Sequence, residues 1–190
     1  MTAGTPLSTA DLLDGLAKKQ RYKYVFFWGD TPNRDGTIGA SCLSQWFHAP
    51  FTVDGTRYPT AEHWMMAAKA RLFNDEDSVR RIAAAGHPQQ AKAIGREVKG
   101  FDTETWQRHR MELVAEGNLH KFRQNQPLLD YLLGTGSRVL VEASPVDRIW
   151  GIGLAADDDR AEHPAQWRGL NLLGFALMRA RLELSQPSTS

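Results

Sequence analysis

Between Tyr58 and Phe73 the chain reads YPTAEHWMMAAKARLF, which sets a carboxylate, Glu62, seven positions before an amine, Lys69, on a bed of Met and Ala. Seven residues make about two helical turns, about 10.5 Å along the axis, so the two groups share a side. Helical side chains lean toward the N-terminus, which lets the amine reach back toward the carboxylate. Near a helix start, the dipole and the unpaired N–H groups favour an ionised carboxylate, suited to a base rather than an acid. An amine partly buried beside a second cation, here Arg71, gives up its proton more readily and suits a nucleophile. The plainer account is an amphipathic helix whose lysine stem lies along the apolar face with its head in water. Spacing leaves both accounts open.

A second stretch, SPVDRIWGIG from Ser144 to Gly153, joins a carboxylate (Asp147), an aromatic (Trp150) and a Gly-x-Gly (Gly151, Gly153). Such glycines let backbone N–H groups approach a phosphate or a ribose, and Trp150 offers a flat face to a base. This is not the six-residue dinucleotide fingerprint, and Asp147 equally suits a turn cap or a pair with Arg148. The six histidines, at 48, 63, 87, 109, 120 and 163, make no His-Glu-x-x-His and no Cys/His cluster, so no zinc site is expected. The trio Asp157, Asp158 and Asp159 lacks calcium-loop spacing and reads as a solvated turn, and Cys42 reads as a small buried hydrophobe. No metal and no cofactor is expected.

The elements that must hold these residues follow from period and punctuation. Leu12, Leu13 and Leu16 repeat at helical spacing from Thr9 to Gln20, and YKYVFFW then reads as a strand. Asp54-Gly55 marks a hairpin, and Thr60 after Pro59 is a good N-cap for the Glu62 helix. Further helices are expected over Asp75 to Ala85, Pro88 to Val98, Asp102 to Gln124 and Pro127 to Leu133. SRVLVEA is a strand leading into the Asp147 loop, and GLNLLGFALMRARLEL is a last apolar-faced helix. The class is α+β, a single, mainly helical domain with a few short strands. Residues 1–20 read as an N-terminal extension with a short helix, 21–184 as the catalytic domain and 185–190 as a disordered tail.

Composition narrows the function. With 23 Lys plus Arg against 22 Asp plus Glu, the formal charge is +1, without the basic excess of a non-specific nucleic-acid coat or a membrane-surface binder. One cysteine fits a reducing compartment, and neither a leader-like N-terminus nor a membrane-length apolar run is seen, so a cytoplasmic protein is expected.

Taken in order, FFWGD, LSQWF, YPTAEHWMMAAKA, AKAIGREV, GNLHKFRQN, ASPVDRIWGIG and NLLGFALMRAR closely resemble the NADAR, or YbiA-like, family from about Tyr24 to Arg181. The resemblance implies an N-glycosidase that cuts between a ribose and an exocyclic amine, in early riboflavin-pathway intermediates or in guanine bases carrying ADP-ribose. It places catalytic roles on Lys69, Glu62 and Asp147. It places substrate contacts on Trp150, Gly151, Gly153, Trp28, Ser44, Gln45 and Asn171, although Gln45-Trp46 stands where some members have a shorter Asn-Phe pair. Two routes fit these groups. In one, Lys69 attacks the opened aminal and carries the sugar as a Schiff base, with Glu62 moving protons and Asp147 orienting the sugar. In the other, a carboxylate activates water at an oxocarbenium-like C1 and Lys69 holds a substrate anion. The implied partners are a ribosylamine or an ADP-ribosylated guanine substrate and, as a candidate, an ADP-ribosyltransferase system. A non-catalytic ADP-ribose or NAD-binding module would use the same loop without needing both Glu62 and Lys69, and a helical interaction protein would leave all these charges solvated.

Overall fold

Five helices begin where a side chain accepts one of the otherwise unpaired first-turn N–H groups. Within residues 4–186, which the computed structural model describes, Ser8 caps α1 (Thr9–Ala17), Thr60 caps α2 (Ala61–Leu72), Asp75 caps α3 (Glu76–Ala83), His87 caps α4 (Pro88–Arg96) and Asp102 caps α5 (Thr103–Arg123). Helices α6 (Gln126–Gly134) and α7 (Leu172–Leu184) start without such a cap. The expected hairpin forms between β2 (Phe51–Val53) and β3 (Thr56–Tyr58), and Asp54 and Gly55 both take the positive φ that its tight turn requires. The remaining strands, β1 (Tyr24–Phe27) and β4 (Val139–Glu142), pair in parallel, with Phe27 opposite Glu142. The fold is α+β, as the sequence pattern indicates.

Helix α2 runs through the centre, with α3, α4 and α5 packed around it. Every residue from Ala61 to Ala68 is buried, which explains why the helix is apolar nearly all round instead of along one stripe. Close approach of α5 to α2 depends on Gly117: a Cβ there would run into the Trp64 indole, whose Nε1 donates to the Leu113 carbonyl at 2.8 Å. Strand β4 is buried along Val139, Leu140 and Val141 and lies against α7. Leu12 of α1 has no exposed surface and belongs to the same core, so the described part of the N-terminal extension is packed onto the domain. Of the expected tail, 185–190, residues 187–190 lie outside the described residues; among those described, no helix is long and apolar enough to cross a membrane.

Parallel pairing has one consequence for function. The chain leaves β1 and β4 at the same end, so the loop after Phe27 and the loop after Glu142 emerge side by side. Gly117→Ala is expected to destabilise the fold by about 1–3 kcal/mol through overpacking against Trp64. A thermal melt should show the midpoint lowered by roughly 2–4 °C for each kcal/mol, and an unchanged midpoint would show that α2 and α5 are not in close contact there.

Candidate active site

The loops at the carboxyl ends of β1 and β4 meet the N-terminal half of α2 and one side of α4 around a two-part cleft. Its inner part, about 240 Å³, is lined by Gln45, Met65, Met66, Ile149, Trp150 and Leu173 together with charged groups. Its outer part, about 280 Å³, is lined by Trp28, Gly29, Asp30, Ser144 and Val146. Ser44, Trp46, Lys92, Glu142 and Asp147 line both and so form the junction, with Glu62 facing the inner part. A larger groove, about 560 Å³, lies at the opposite ends of the strands, but it is lined by Arg21, Lys23, Arg138 and small or neutral residues and brings no carboxylate or other acid–base pair together. The cleft is therefore the candidate site.

Glu62 is only 3% exposed, and its Oε1 has no hydrogen-bond partner. Burial pushes its carboxyl up to about 7; Asp147 acts in the same direction, while Lys92, the Trp46 indole facing it and Arg96 oppose. The helix start favours an ion, but desolvation outweighs the dipole, so Glu62 sits where it can either hold or accept a proton near neutrality. Burial likewise pushes Glu142 up to about 8, aided by Asp147 and Glu62 and opposed by Lys92. Its Oε2 is also buried without a partner. Asp147 uses Oδ1 to accept the backbone N–H groups of Ile149 and Trp150, both at 2.8 Å, which folds the loop over the cleft.

The structure brings Glu62, Asp147, Trp150, Trp28, Ser44 and Gln45 together, but it does not bring Lys69. That amine donates to the Gly95 carbonyl at 2.6 Å and stands 4.2 Å over the Phe101 ring, tying α2 to the end of α4. Sharing a side of α2 was not enough, because the cleft opens over the first half of the helix. Arg71 turns away to the Tyr58 hydroxyl and does not add charge beside Lys69. Gly151 and Gly153 are also off the cleft. A Cβ at Gly151 would meet the Glu142 carbonyl at 2.8 Å, and Gly153, at φ 68°, packs beside Arg148 and Arg168, so both glycines serve the turn itself.

Asn171 is fully buried and spends its amide on β4 rather than on a ligand. It donates to the Leu140 carbonyl at 2.9 Å and accepts the Glu142 N–H at 3.0 Å, acting as a one-residue neighbour strand that fixes the Glu142 backbone.

Sequence reasoning missed Glu142, Lys92 and Trp46. Glu142 had a signal: it ends a strand just before the Asp147 loop, where parallel strands present functional groups. Lys92 stands in the AKAIGREV motif, but its own spacing gave no sign of a role, since only the packing of α4 on α2 turns it into the cleft, where its amine lies 5.8 Å from the centre of the Trp46 ring. The segment carrying Ser44, Gln45 and Trp46 is held by α5. Fully buried Lys121 donates to the carbonyls of Cys42 and Ser44 at 2.7 and 2.8 Å, Asn118 donates to Gln45 Oε1 at 2.9 Å, and the Glu62 N–H meets the Gln45 carbonyl at 2.9 Å. Among the described residues, no three His, Cys, Asp or Glu side chains are arranged to hold a metal ion. Asp158 accepts three hydrogen bonds from Arg160, one from its backbone N–H and two from its guanidinium, consistent with a surface turn.

The NADAR domain profile matches residues 26–185. The chain belongs to the NADAR family. This NADAR domain is 41% identical over 169 residues to "N-glycosidase R617" of Acanthamoeba polyphaga mimivirus, covering 86% of this chain and 98% of that protein. It is 32% identical over 144 residues to "Riboflavin biosynthesis protein VVA0006" of Vibrio vulnificus, covering 76% of this chain and 35% of that protein. Its fold matches the NMR structure of the Escherichia coli protein YbiA with a TM-score of 0.65 and 26% identity over 87% of each chain.

The NADAR cleft makes stability depend on pH. Both raised carboxyls keep their protons in the folded state up to about 7 and 8, whereas the unfolded chain releases them near 4.5. Their contribution is therefore fully present below about 4.5 and lost as pH rises through 7 and 8. The Glu62→Gln, Glu142→Gln double variant should flatten this fall, on the order of a few kcal/mol between pH 5 and 8.5. Urea midpoints of parent and double variant that decline in parallel would show that these carboxyls ionise normally.

Proposed function

We propose that this NADAR domain is an N-glycosidase, a hydrolase that cleaves the bond between ribose C1 and an exocyclic amine. The observation that carries this reading is the junction itself, where the Glu142 and Asp147 carboxyls and the Lys92 amine meet, with the Glu62 carboxyl beside them, between a Trp-bearing inner part and an outer part rimmed by Trp28. Cleaving such a bond requires a proton for the departing nitrogen, a nucleophile for C1 and negative charge near a carbon that becomes electron-poor. The junction supplies each of these. The relatives named N-glycosidase support the reaction class, and the relative named for riboflavin biosynthesis supports a small ribosylamine as one substrate.

In the covalent route, Lys92 is the amine in position. It gives a proton to the carboxylate cluster, attacks C1 of the opened aminal, expels the base as its free amine and is released by water from the resulting imine. Glu62, poised near neutrality, takes and returns protons, and the Asp147 carboxylate orients the sugar and offsets positive charge. Trp150, half-buried on the inner wall, provides a face for the base. A ribosylaminopyrimidine and an ADP-ribosylated guanine share the bond that this chemistry needs. If the second is the substrate, an ADP-ribosyltransferase must act first to supply it.

Both substrates should be incubated with the parent and the products read by mass spectrometry; release of free amine from neither would contradict the reading. Lys92→Arg keeps the charge but cannot form an imine, so turnover should fall roughly a thousandfold or more. Borohydride added during turnover should leave the sugar adduct on the Lys92 peptide. Lys69→Arg should remain active, and an adduct on Lys69 instead would return the nucleophile to α2.

A further inference from the structure

We propose that Glu142 is the catalytic acid that delivers a proton to the departing amine, a role distinct from those of Glu62 and Asp147 and resting on the N-glycosidase reading above. Three observations converge on it. Its backbone is fixed on both sides: the N–H is held by Asn171 Oδ1 at 3.0 Å and the carbonyl accepts the Ile152 N–H at 2.9 Å. Its side chain lines both parts of the cleft, so it reaches the point where a bond spanning the two would lie. Finally, its Oε2 is buried and meets no donor, although a carboxyl left unpaired in a protein interior costs about 1–3 kcal/mol or more. A structural role would spend that oxygen on the fold, and this one is left for something that enters the cleft.

The surroundings set its protonation. Facing Glu142 are Asp147 from the loop, Glu62 from α2 and Lys92 from α4. Two acidic neighbours against one amine, added to burial, favour the neutral acid at the pH where Glu62 is changing over. As the C1–N bond breaks, its electron pair stays on nitrogen, which takes the Glu142 proton and leaves as the free amine, with Glu142 left as a carboxylate. C1 is bonded to Lys92, which adds before the amine departs in the covalent route, or to water in the direct route, and the proton which that nucleophile sheds returns to the cluster and restores the acid. Water is consumed once and no oxidant or reductant enters.

The test uses Glu142→Gln, which keeps the shape but has no acidic proton, with Glu142→Asp, which keeps the acid on a shorter stem. On whichever ribosylamine the parent cleaves, Glu142→Gln should retain a KM within about twofold and, below about pH 7 where Glu142 is neutral, a melting midpoint close to the parent's, while kcat falls by about 10²- to 10⁴-fold. The alkaline limb of the kcat profile should vanish in Glu142→Gln and persist, shifted, in Glu142→Asp. A near-parental kcat in Glu142→Gln, or a loss carried by KM and melting with the alkaline limb intact, overturns the assignment. If Glu142→Gln does not fold, an unshifted limb in Glu142→Asp overturns it. If the parent itself releases no amine, the N-glycosidase reading fails first, and that outcome is separate from these.

Discussion

Placing a carboxyl group in a protein interior is unfavourable unless it is neutral, paired or hydrogen-bonded. This fold places two of them, Glu62 and Glu142, against one cleft with an oxygen of each buried and unpartnered. Much of the remaining architecture follows from holding them there. Glu62 is carried on a helix buried on nearly all sides, so its carboxyl is shielded from bulk water and faces only the cleft. Glu142 ends a buried strand whose open edge is completed by a single asparagine amide. The net effect is a pair of acids with changeover points moved from the carboxylate range to neutrality, which proton transfer at physiological pH requires.

Other buried polar groups are arranged to keep this geometry. Lys121 has no carboxylate partner; burial pushes it down to about 8, and its hydrogen bonds go to two backbone carbonyls at the start of the Gln45 segment. Lys69, similarly, is spent on the Gly95 carbonyl near the end of α4, three residues after the cleft amine Lys92. Both lysines act as tethers between helices and the elements that line the cleft. The division of labour among the lysines is therefore set by packing: one faces the cleft, two hold the walls.

Local signals in the sequence were sufficient for what local physics decides. The Thr60 cap, the Asp54-Gly55 turn, the helical period of α2 and the strand ending at Glu142 are each written within a few residues, and so were Glu62, Asp147 and Trp150 as candidates. What could not be read was anything decided by distant contact. The parallel pairing of Tyr24–Phe27 with Val139–Glu142 spans over a hundred residues and alone brings Trp28 beside Glu142. The direction of Lys92 depends on how α4 lies on α2. The resemblance placed a ligand contact on Asn171, but with a left-handed backbone, φ 52°, its amide is spent on β4. Gly151 and Gly153 resembled a phosphate cradle, yet crowding inside their own loop is the reason for glycine.

The protonation of the two buried acids is the central claim, and carbon-detected NMR of the side-chain carboxyls tests it most directly. With Glu62 and Glu142 assigned by comparison with their Gln variants, the account predicts coupled titrations with apparent midpoints near neutrality, about 7 and about 8. Midpoints for both groups near the ordinary glutamate value of about 4.3 would contradict it.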